Sequence, residues 1–113
     1  MSESSVIKCI SPVDGSVYAE RPITAGIEIA QALAAARAAQ ADWRRVPVEE
    51  RGKLCSAAVD AMLAMRDEIV PELAWQMGRP VRFGAGELGG FEERARYMID
   101  IAGEALAPVD PGA

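Results

Sequence analysis

The stretch from Pro47 to Pro80, PVEERGKLCSAAVDAMLAMRDEIVPELAWQMGRP, constrains this chain most, because its start signals, apolar stripe and stop signals all agree on helix. Pro47 suits a first turn, where a missing N–H costs nothing. Glu49 and Glu50 place negative charge beside the positive end of the helix dipole. Leu54, Ala58, Ala61, Met62, Met65, Ile69 and Leu73 then recur at three- and four-residue steps, so they share one face, and that face is expected to be buried. Gly78 supplies the left-handed residue that ends a helix, Arg79 complements the negative end, and Pro80 cannot continue it. Pro71 breaks the pattern, since its ring crowds the carbonyl of Asp67. A break between Arg66 and Val70, giving two helices in series, is therefore expected.

The apolar half of the chain cannot make a deep core on its own. Of 113 residues, 50% are hydrophobic, but 21 are Ala and only six are aromatic. A chain this short buries only about 60–70% of the surface it exposes when unfolded, so small side chains leave little margin and a larger body to pack against is expected. The formal net charge of −5 comes from interleaved acids and bases, without the basic stripe that nucleic acid requires. No apolar run approaches the roughly 20 residues of a membrane span, and MSESSVIK lacks the apolar core of a signal peptide. The expected location is therefore cytoplasmic, with neither nucleic acid nor membrane as partner.

Val6 to Ile10 and Ser16 to Arg21 are short β-leaning runs around the turn residues Ser11-Pro12-Val13-Asp14-Gly15, which reads as a hairpin. Two strands alone are unstable in water, so the pair must rest on helices or extend another sheet. Thr24 is the expected cap of a helix ending by Arg45 and burying Ile29, Ala32, Leu33, Ala36 and Trp43. Its further alanines, such as Ala34 and Ala38, are explained by helix propensity alone or by close approach of another backbone. After Pro80 a third long helix is signalled by Leu88, Phe91, Ala95, Met98, Ile101, Ala102 and Ala105, with Glu92 and Arg96 paired on the other side. Gly89 and Gly90 would each cost it about 1 kcal/mol relative to Ala. Either that turn approaches the preceding helix closely, or the helix starts only at about Gly90.

One motif looks like chemistry. Gly84-Ala85-Gly86-Glu87-Leu88-Gly89 fits G-x-G-x-x-G, the turn that brings backbone to a pyrophosphate. Its context is wrong: Pro80-Val81-Arg82-Phe83 is a poor strand, and no βαβ unit follows. These glycines read as helix packing. Cys9 and Cys55 lack metal-ligand spacing and read as reduced thiols. Arg51 lies one turn before Cys55 and could lower its pKa, yet Cys55 sits where a small packing residue is expected. The chain has no His, so no Cys–His or Ser–His pair can be assembled. Glu49-Glu50 and Glu92-Glu93 read as solvated helix faces. No residue is assigned a catalytic, cofactor-binding or metal-ligating role.

Read together, the segments resemble the N-terminal part of the aldehyde dehydrogenase family. The residues that carry this are Ser11 to Gly15, Ala34-Ala35-Ala36-Arg37-Ala38-Ala39 with Trp43, Pro47 with Glu50-Arg51, Met77-Gly78-Arg79-Pro80, and the helix from Glu87 to Met98. Gln40 and Gln76-Met77-Gly78-Arg79-Pro80 depart from the family's commoner residues and suggest a subgroup. The resemblance implies a mostly α segment, a short N-terminal β-hairpin followed by three to four long helices, taken from an α/β fold. It implies a parent activity of NAD(P)-dependent oxidation of an aldehyde to a carboxylate through a thiohemiacetal and a thioester. The family's nucleophile, general base, oxyanion-hole and cofactor residues match later segments, so none of those roles falls on this chain, which binds no cofactor itself.

The expected organisation is a hairpin segment over 1–23, a helical segment over 24–107 and a truncated linker over 108–113. Three readings follow: an N-terminal fragment of such a dehydrogenase, inactive alone; one half of a split enzyme; or a stand-alone helical interaction module. The expected partners are the missing dehydrogenase domains or a second copy, through apolar helix faces.

Overall fold

The structure, a computed structural model, describes residues 6–112. Residues 1–5 of the expected hairpin segment, most of the stretch read against a signal peptide, and Ala113 of the expected linker lie outside the described residues. Strand β1 (Val6–Ile10) and strand β2 (Val17–Pro22) form an antiparallel hairpin. Four helices follow: α1 (Gly26–Trp43), α2 (Val48–Ala64), α3 (Arg66–Met77) and α4 (Val81–Ala105). This is the mostly helical architecture with an N-terminal hairpin that the sequence implies.

The hairpin turn is built by local polar bonds. The Ser11 and Ser16 backbones close the loop through an N–H to O contact of 2.8 Å. Asp14 accepts from the Ser16 N–H at 2.9 Å and from its hydroxyl at 2.7 Å. Gly15 has φ of 76°, a conformation costly for any residue with a Cβ. Bonds from Ser16 hold the exposed Asp14 carboxyl below the usual carboxylate range. A lowered folded-state pKa means that the turn's stability is present above the unfolded value and is lost as pH falls through the folded one. Acid titration should therefore release the Ser16 amide shift below the ordinary Asp midpoint, and Asp14→Asn should remove that step, as NMR would show.

Pro71 does not itself break the chain. It lies inside α3, and the break falls at Met65, just N-terminal to the expected Arg66–Val70 window. Met65 has φ −86° and ψ 12°; its N–H bonds back to Met62, and its carbonyl starts α3 by accepting from Glu68 and Ile69. Within α3 the proline leaves the Asp67 carbonyl without its usual N–H donor, and the helix continues through it to Met77. Gly78 ends α3 with φ 74°, as expected.

The packing differs from the expected stripes. Helix α4 lies along both α2 and α3, whereas α1 packs on no other element to a comparable extent. Two hydrophobic side chains are buried among the described residues, Val59 and Leu88. The expected face of α2 is the wrong one: Leu54, Met62 and Met65 are exposed, while Val59 is buried and Gly52 and Ser56 meet Ile99 and Arg96 of α4. Ile29, Leu33 and Trp43 of α1 are exposed as well, contrary to expectation. Thr24 is not the cap of α1. Ala25 holds that position, and the Glu28 carboxylate accepts its backbone N–H at 3.0 Å, as Ala has no side-chain acceptor of its own. In α4 Phe91 and Met98 are exposed, and Leu88 makes the core contact.

Helix α4 starts at Val81 rather than near Gly90. The close approach comes about one and a half turns earlier than expected: a Cβ at Gly84 would lie 2.7 Å from Val70 Cγ1, whereas Gly89 and Gly90 face open space. The hairpin rests on the end of α3, where the Cys9 thiol donates to the Gln76 carbonyl at 3.8 Å and Pro12 lies against Gly78. The whole is open. Its radius of gyration is 19.6 Å over extents of 63 × 44 × 26 Å, against about 13 Å for a compact chain of this length.

Candidate functional site

The seam between α2 and α4 is the most developed tertiary feature of the molecule, and its two rims differ. Gly52 meets Ile99, and Arg96 reaches Ser56 and Asp60, so the two helices run antiparallel. Along one rim the Arg96 guanidinium joins three partners: Glu92 at 2.9 Å on its own helix, Ser56 at 3.1 Å and Asp60 at 2.7 Å across the seam. Its hydrogen bonds to Asp60 and Glu92 raise the Arg96 pKa further. The Glu92–Arg96 pair was expected on the solvent side, yet it ties α4 to α2. Ser56 and Asp60, four apart among small apolar residues, were the signal that could have revealed this clamp.

The opposite rim is open and mostly apolar, with Arg51 the charged exception. Trp43, Val48, Cys55, Met98, Ile99 and Leu106 surround a hollow of about 260 Å³ where the ends of α1, α2 and α4 converge. Helical spacing places Cys55 and Met62 of α2 on the same rim as Phe91 and Met98 of α4. Exposed apolar side chains clustered in this way mark a surface made for contact.

The residues weighed for chemistry are not brought together. Cys9 sits half-buried on the hairpin, and Cys55 is exposed on the open rim rather than packed as expected. Glu49 and Glu50 both reach Lys53, at 3.4 and 2.8 Å, on a solvated first turn. Burial beside Glu72 raises the Tyr18 pKa, desolvation being the larger cause. Among the described residues no three His, Cys, Asp or Glu side chains converge as metal ligands, and no helix is long and apolar enough to cross a membrane.

The G-x-G-x-x-G run does not fit a dinucleotide. Gly84 to Gly89 lie within α4, where backbone N–H groups are spent on the helix itself, and the side of Gly84 that lacks a Cβ is filled by Val70. A pyrophosphate would find no free turn there. Nearby, Arg79 pairs with Glu87 at 2.6 Å, and Arg79 and Arg82 stack over Phe83 at 5.5 and 4.7 Å from its centroid. These contacts fasten the α3–α4 corner.

A profile of the aldehyde dehydrogenase family matches residues 1–110. A 3,6-anhydro-alpha-L-galactose dehydrogenase from Streptomyces coelicolor is 29% identical over 79% of this chain and 18% of its own length. Betaine aldehyde dehydrogenase 2 from Rhizobium meliloti is 33% identical over 66% of this chain and 16% of its own. The crystal structure of an NAD-dependent benzaldehyde dehydrogenase from Corynebacterium glutamicum superposes with a TM-score of 0.85 at 25% identity, covering 96% of this chain and 24% of that one. The chain thus spans about a quarter or less of the length of these relatives.

Proposed function

Since the chain belongs to the aldehyde dehydrogenase family, we propose that it is the N-terminal supporting segment of an NAD(P)-dependent oxidoreductase that converts an aldehyde to a carboxylate. In this reading the cofactor, the nucleophile and its base are held by other parts of the full-length enzyme, and no residue of this chain is catalytic, cofactor-binding or metal-ligating. The hairpin segment up to residue 23 and the helical segment over 24–107 act as scaffold, and 108–113 lead out of it.

The observation that carries this reading is the open shape itself. A layer with a 19.6 Å radius of gyration and two buried hydrophobic side chains among the described residues nonetheless superposes on a quarter of a whole dehydrogenase at a TM-score of 0.85. Its conformation is that of a part resting on a larger body. Covalent aldehyde oxidation needs a thiolate, a base, an oxyanion site and a cofactor in mutual alignment, and the seam supplies an inter-helix clamp instead.

The chain alone should therefore neither bind NAD or NADP saturably in calorimetry nor form NADH over a panel of aliphatic and aromatic aldehydes. Saturable binding together with turnover that Cys55→Ser abolishes would overturn this assignment.

A further inference from the structure

We draw no further inference here: the strongest candidate, the hollow where the ends of α1, α2 and α4 converge and the Nε of half-buried Arg51 has no hydrogen-bond partner among the described residues, lies on an open face of a chain that spans about a quarter or less of the length of its relatives, and nothing in the structure shows what covers it.

Discussion

Heated alone, the chain is expected to lose its helix content over a broad range, without the sharp heat-absorption peak of a packed domain. A globular domain of this length would absorb about 80 kcal/mol at its midpoint. That enthalpy comes from close packing, and here Val59 and Leu88 are the buried hydrophobic side chains among the described residues. Trp43 and Trp75 are 40% and 42% exposed, so weak near-UV dichroism is expected of both. The expected record is strong far-UV signal, weak near-UV signal and an enthalpy below about half the globular value. A cooperative peak of full size would show that the helical layer needs no further body, and would remove the physical support for the scaffold reading.

Gly84→Leu should separate α3 from α4. A Cβ at Gly84 would lie 2.7 Å from Val70 Cγ1 and 3.5 Å from Val70 Cα. The first is an unallowed contact, and the backbone behind it leaves little room for relief. Overpacking of this kind typically costs about 1–3 kcal/mol, a large share of what so thin a core can provide. Hydrogen exchange should report it locally: α3 amides lose protection while α2, clamped through Arg96, keeps its own. Val70→Ala in the same chain should recover much of the loss, because it removes the atom in conflict. If protection in α3 is unchanged by Gly84→Leu, the close approach of these helices is not the contact described above.

Element by element, what could be read from the chain was what depends on neighbours in sequence. The hairpin around Ser11 to Ser16, the stop at Gly78 and the existence of each helix follow from turn chemistry, capping and periodicity. So does the place of the glycine run Gly84 to Gly89 in a helix, which its flanks already favoured over a turn after a strand. The errors have a common cause. Helix α2 carries apolar residues on two faces, and nothing local says which is covered: Leu54, Met62 and Met65 are the larger side chains, yet Gly52, Ser56 and Val59 are the ones small enough to let α4 approach. Likewise Glu92 and Arg96 looked like a solvent pair, since i,i+4 spacing is the same whether or not Asp60 of another helix stands opposite.

The sequence by itself determined the existence of the helices, the stop at Gly78, the hairpin and the lack of any His-based catalytic pair, because these depend on the backbone preferences and residue types of a few neighbouring positions. The tertiary structure alone decided which faces meet. It placed Gly84 against Val70, turned Arg96 into a clamp across the α2–α4 seam and left the opposite rim open. Those outcomes depend on the size and charge of groups tens of residues apart along the chain, and helical periodicity carries no record of them.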